Sequence, residues 1–174
     1  VEAADVAIHW QDLGRHWLIM DQGFKVHGVC WWAQPATEAA LQLARNHQLA
    51  VPEIDHIEIE TFEKATHLDH PHPATSEEAQ YSLPYPVAAA LWAWVEHGNG
   101  WFGLGPAQLL ETNLNDERVR QLANRVNLVE APDLTARFPE KFLARATITT
   151  RDGRTFRSDN TTFRGEVDFP LTET

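Results

Sequence analysis

Apolar positions recur at three- and four-residue spacing most clearly between Pro84 and Val95, where Val87, Ala88, Ala90, Leu91, Trp94 and Val95 follow two prolines. That spacing gathers them on one side of an α-helix. Pro84 and Pro86 lack an N–H donor and hold φ near its helical value, which suits a helix entrance rather than an interior. His97 and Gly98 mark the end. The pattern predicts a helix seated in the core, with the rest of the chain arranged around it. Its approach is polar: Gln80, Tyr81, Ser82 and Tyr85 surround the first turn, where free N–H groups and the positive dipole end favour an anion such as a substrate carboxylate. The plainer use of Ser82 is as a cap, and of the tyrosines as packing.

A second helix is predicted over Pro35 to Leu49, with Ala36, Ala39, Ala40, Leu43 and Ala44 on its apolar side. Strict alternation of Ile57, Ile59 and Thr61 against Glu58, Glu60 and Phe62 makes residues 54–62 a strand with one face in the core. Short helices follow at 106–111 and 115–124, and strands at 126–129, 142–150 and 155–162. The last two strands are joined by Arg151-Asp152-Gly153-Arg154, whose Asp-Gly pair signals a hairpin. Residues 63–78 read as a polar loop, 97–105 as a glycine-rich surface turn and 24–30 as a short extended or turning segment around Gly28. Residues 1–21 mix Trp10, Leu13, Trp17, Leu18 and Ile19 with Asp12, Arg15 and His16 in a spacing compatible with helix or strand. The fold class expected is α+β, a mostly antiparallel sheet with helices packed on one face. It is organised as a boundary segment 1–23, a domain 24–165 and a tail 166–174.

With 174 residues, 43% of them hydrophobic, the chain can bury the core of one domain. No run approaches the roughly 18 apolar residues of a membrane span, and the start lacks the basic and apolar blocks of a signal peptide, so a soluble cytoplasmic protein with no membrane partner is expected. The single cysteine, Cys30, excludes an internal disulfide and cannot alone hold an iron–sulfur cluster or a cysteine-type zinc site. A formal charge of −11 argues against nucleic-acid binding, yet leaves room for a small anionic substrate in a locally positive pocket. Starting at Val1 and ending on LTET, the chain reads as an excised piece.

Three groups of residues are candidates for chemistry. Lys25 lies two residues from His27 and close to a glycine, where an amine can be held beside an anion or lose its proton to act as a base; most lysines are simply exposed. The run His67-Leu68-Asp69-His70-Pro71-His72 has metal-ligand residue types, but on a proline-containing loop rather than the rigid elements a metal site draws on, so no metal is expected. Seven tryptophans, among them Trp92, Trp94 and Trp101, raise the alternative of a module that stacks ligand faces on aromatics, although aromatic residues serve packing first.

In order along the chain, FKVHGVC, QPATEAAL, PATSEEAQYSLPYPVAAAL, LNDERVRQLANRVNLVEAP, ATITTRDGRTF and RGEVDFPLT resemble the MmgE/PrpD family, from about Phe24 to the C-terminus. Its members include 2-methylcitrate dehydratase, cis-aconitate decarboxylase and iminodisuccinate epimerase. The resemblance implies a large helical domain and a smaller lid domain with the active site between them, and this chain looks like the lid alone. RGEVDFPLT falls where relatives return to the helical domain, which supplies further catalytic residues. Lys25 matches the lysine that meets the substrate carboxylates, Tyr85 the aromatic position reaching the same cleft, and Cys30 a position that is cysteine in dehydratases and histidine elsewhere. Where relatives often carry histidine, this chain has Gln34, a neutral amide that binds but cannot transfer a proton; KVHG replaces the usual KPYP and puts His27 at a tyrosine position.

The resemblance therefore implies a cofactor-independent enzyme that removes a proton beside a carboxylate of a small di- or tricarboxylate, a dehydratase-like lyase. Lys25 and Tyr85 would be catalytic and His27, Cys30, Gln34, Gln80 and Ser82 would bind substrate, with a helical domain as partner and a homodimer as the assembly common among relatives. An epimerase of the same family, or a non-catalytic binding domain, are the alternatives.

Overall fold

A computed structural model describes residues 10–11, 13–15 and 17–171. Its elements are helices α1 (Gln34–His47), α2 (Glu63–Thr66), α3 (Ser76–Gln80), α4 (Pro84–His97), α5 (Pro106–Leu109), α6 (Glu117–Ala123) and α7 (Pro132–Thr135), and strands β1 (Ile54–Thr61), β2 (Val126–Glu130), β3 (Ala144–Thr150) and β4 (Thr155–Arg157). Of the ambiguous opening stretch, Leu18–Asp21 forms one 3₁₀ turn, and the expectation for residues 1–9, 12 and 16 lies outside the described residues.

The four strands form one sheet in the order β2-β1-β3-β4. β1 pairs antiparallel with β3, Ile57 opposite Ile148, but parallel with β2, Ile57 opposite Val126. The sheet is thus mixed, correcting the mostly antiparallel sheet expected from the sequence. The reason is the connection: the chain between β1 and β2 passes through five helices and returns to the end of the sheet where β1 began, which a crossover of that length permits. The hairpin signal at 151–154 described only the β3–β4 pair, which is antiparallel.

The expected one-sided sheet is present. Ile57, Ile59 and Thr61 are fully buried, while Glu58 and Glu60 are half-buried on the open face. α1 packs on β3 and on α4, and α4 packs on α6. Held between the sheet and α4, α1 is buried almost all round from Gln34 to Ala44, not on one side as its apolar spacing suggested. α4 is buried from Pro84 to Leu91 and at Ala93, with small side chains at Ala88, Ala89 and Ala90 allowing close approach. Its last turn emerges into solvent, leaving Trp94 half-buried and Val95 49% exposed, so Val95 is not the core position its spacing implied. β4 is shorter than expected because the Ser158 hydroxyl takes the Ala146 N–H and the chain then turns out, rejoining only at an Ala144–Thr161 bridge.

Aromatic rings close the end of the core nearest the start of α1. Phe62 stacks on Phe138 with centroids 4.5 Å apart, and Trp32 meets both rings edge-on at 5.9 Å. Trp31 meets Phe163 edge-on at 4.8 Å. These tryptophans are therefore packing residues, and they tie the start of α1 to the C-terminal segment.

Candidate active site

The FKVHG loop has no regular structure, so its shape is set by what it docks on. Phe24 N–H donates to the Gly165 carbonyl at 2.6 Å, and Gly28 N–H to the Leu104 carbonyl at 2.8 Å. Both approaches require glycine. A Cβ on Gly103 would lie 2.1 Å from the Val26 carbonyl oxygen, and one on Gly165 would lie 2.1 Å from that of Phe24. Lys25 stands between these two contacts, exposed, with no hydrogen bond or ion pair to its side chain among the described residues.

Beneath the loop lies a buried polar network. His27 is fully buried: its Nδ1 accepts from Leu104 N–H at 3.1 Å, and its Nε2 lies 2.9 Å from Glu38 Oε1. A backbone N–H can only donate, so Nδ1 is the bare nitrogen and Nε2–H donates to Glu38. Arg164 completes the network, with Nη2 2.8 Å from Glu38 Oε1 and 3.1 Å from the Phe102 carbonyl. Burial lowers the His27 pKa below 6.5 despite the carboxylate beside it. Burial alone would raise the Glu38 pKa, but hydrogen bonds from His27 and Arg164 outweigh it and bring it down to about 2. The stable arrangement is neutral imidazole, carboxylate and guanidinium.

The other residues singled out from the sequence divide into buried supports and accessible groups. Gln34 closes a ring with the loop backbone, accepting from His27 N–H at 3.2 Å and donating to the His27 carbonyl at 2.7 Å. Half-buried Cys30 donates its N–H to the Gln80 carbonyl at 2.7 Å, while the exposed Gln80 side chain turns back to Ser76. Ser82 is buried; its hydroxyl donates to the His70 carbonyl at 2.7 Å and accepts from Tyr85 N–H at 3.1 Å. Val87 N–H goes to the Leu83 carbonyl, and Pro84 and Pro86 have none to give, so the first turn of α4 has no N–H left for a carboxylate. The capping reading of Ser82 is the one realised, and anion capture by the helix entrance is corrected.

Tyr85 is buried and its hydroxyl donates to the Gln108 carbonyl at 2.8 Å. Burial, with Asp116 nearby, pushes its pKa up to about 12, so the phenol stays protonated and can donate or orient rather than act as a base. The same ring lines a groove of about 460 Å³ between α4 and α6, shared with Gln108, Asn113, Glu96 and Asp116. The two carboxylates suit this groove poorly to an anion. Lys25 and Tyr85 do not touch one another; segment 103–108 joins them, receiving the loop at Gly103 and Leu104 and the phenol at Gln108. The sequence reading missed Glu38 and Arg164; a lone acid amid the small residues of QPATEAAL was the available signal.

His67 pairs with Glu63 at 3.1 Å and His70 with Glu78 at 3.5 Å, and no group of three or more His, Cys, Asp or Glu suited to a metal ion occurs among the described residues.

Residues 27–174 match the MmgE/PrpD C-terminal domain. The chain belongs to the MmgE/PrpD family. Among curated proteins none matches it. The MmgE/PrpD match covers the buried network and Tyr85 and begins two residues after Lys25. The FKVHG loop, of which His27 and Gly28 fall within the MmgE/PrpD match, packs with segment 103–108 and the Gly165 turn. No helix of the described residues is long and apolar enough to cross a membrane.

Proposed function

We propose that this MmgE/PrpD C-terminal domain is the lid of an enzyme that removes a proton next to a carboxylate in a small di- or tricarboxylate, with loss of water as the next step and no cofactor. A helical domain of the family would supply the principal base. The observation that carries the reading is Lys25: an exposed ammonium without a partner among the described residues, on a loop held at two glycine contacts. Removing a proton beside a carboxylate leaves negative charge on its oxygens, and a fixed cation there lowers the barrier because it needs no reorganisation. Tyr85, protonated at neutral pH, would orient the substrate or return a proton. His27 and Gln34, whose polar atoms face the loop backbone and Glu38, would act through the shape of the loop rather than by contact with substrate.

With the helical domain present, Lys25→Ala is expected to lower kcat by about a hundredfold or more. A near-normal rate would remove that role. Proton NMR in heavy water identifies the reaction: a new alkene signal means dehydration, while deuterium uptake without an alkene means epimerisation. Binding of citrate-like anions that depends on Lys25 and never turns over would make the domain a non-catalytic binder.

A further inference from the structure

Where the β3–β4 hairpin meets α6, three arginines line one groove of about 160 Å³. Arg118 comes from α6, Arg125 from the residues after it and Arg151 from the hairpin, with Trp92, Gln121 and Pro52 completing the wall. No carboxylate lines this groove, in a chain with 25 acidic residues against 14 lysines and arginines.

Local bonding sets how much of each guanidinium group remains available. In the hairpin, Asp152 is taken by Arg154 Nε at 2.7 Å and by the Thr150 hydroxyl, and the Arg151 side chain has no partner among the described residues. Arg125 gives Nη1 to the Ile54 carbonyl at 3.0 Å and keeps Nε and Nη2. Arg118 lies 5.0 Å over the Trp92 ring; Asp116 and Glu96 hold it through Nε and Nη2, leaving Nη1. Those two acids fix the position of Arg118 but do not line the groove. Elsewhere Arg145, Arg154, Arg157 and Arg164 each have a carboxylate partner.

We propose that this groove binds a small oxyanion carrying a phosphate or carboxylate group. Guanidinium forks match the oxygen spacing of both groups and bind them through paired N–H bonds. Arg125 and Arg151 offer open N–H pairs and Arg118 adds Nη1. With Asp116 and Glu96 paired to Arg118, the positive charge left for a ligand is that of Arg125 and Arg151, on separate elements. None of the lining residues belongs to the Lys25 loop, segment 103–108 or the Gly165 turn; the groove adjoins the Tyr85 groove, with Trp92 lining both, but the proposal does not rest on the active-site reading.

The test is an NMR titration of the chain at constant ionic strength with inorganic phosphate, with citrate, and with sodium chloride as control. The signals to follow are the arginine Nε–H groups and the Trp92 indole N–H, which donates to the Arg118 carbonyl at 3.1 Å. Saturable shifts of Arg118, Arg125 and Arg151 with phosphate, citrate or both support the site, and the more effective anion identifies the group it takes. Arg151→Gln should weaken binding by about tenfold, the loss of one charge-assisted contact, while Lys25→Ala leaves it unchanged. The fold should tolerate Arg151→Gln, because the structural contact of that residue is its backbone N–H to the Glu53 carbonyl at 2.8 Å. The proposal is overturned if neither anion saturates, if chloride gives the same shifts, if Arg151→Gln binds as tightly, or if Lys25→Ala abolishes binding.

Discussion

The charge arrangement around Glu38 makes a single carboxylate answerable for much of the acid stability of the domain. Its folded pKa of about 2 lies below the ordinary 4.5, so its contribution is complete above pH 4.5 and is lost as pH falls towards 2. A shift of that size corresponds to roughly 3 kcal/mol. His27 acts in the same direction at higher pH: its folded pKa is below 6.5, the unfolded chain therefore binds the proton better, and stability begins to fall as pH drops under 6.5. Thermal midpoints measured from pH 8 to pH 3 should decline in two stages, and Glu38→Gln should flatten the lower one. Glu38→Ala should cost about 3–5 kcal/mol, because it leaves Arg164 without its carboxylate in a mostly buried place. Equal pH profiles for wild type and Glu38→Gln would contradict this account.

At the scale of elements, the helices and strands with clear periodicity were legible. The long helices begin within one residue of their prolines and β1 within its alternating stretch, because proline chemistry and side-chain alternation are local properties. The polar stretch 63–78 was read as loop, yet it holds α2 and the start of α3. Thr75 caps Glu78 N–H, and Glu78 returns to Ala74 N–H, a Thr-x-x-Glu arrangement that the sequence does display. Strand direction and the burial of Glu38, His27 and Gln34 were not legible, since both depend on which distant segments pack together. The end of α4 carries a prediction of its own. Gly98 has φ 72° and ψ −162°, a region essentially reserved for glycine, and an added Cβ there meets nothing within 4 Å. Gly98→Ala should therefore destabilise by about 1–3 kcal/mol through backbone strain alone, measurable as a lower urea midpoint with unchanged slope.

For the whole molecule, the excess of acidic residues sets the response to salt. Ion pairs on the open face of the sheet, where Arg145 meets Glu60 and Asp133 and Arg157 meets Glu60, are weakened by screening, but they are exposed or partly exposed and individually contribute little. The net charge of −11 repels itself in the compact state over longer distances. Raising sodium chloride from about 10 mM to about 150 mM shortens the Debye length from about 30 Å to about 8 Å, and the thermal midpoint should rise. A midpoint that falls would mean the ion pairs outweigh the repulsion.

The mixed sheet also governs how the chain can assemble. β1 is an inner strand whose two partners, β2 and β3, both come from the far half of the chain, so a nascent polypeptide carrying β1 has nothing to pair it with until α4 and α6 have been made. The helices can form early from local contacts, whereas closing the sheet must wait for long loops to be brought together, the costlier step in conformational entropy. Until then both edges of an Ile-rich strand stand open to other chains, which makes the interval between synthesis of β1 and arrival of β3 the period when this domain is most prone to aggregate.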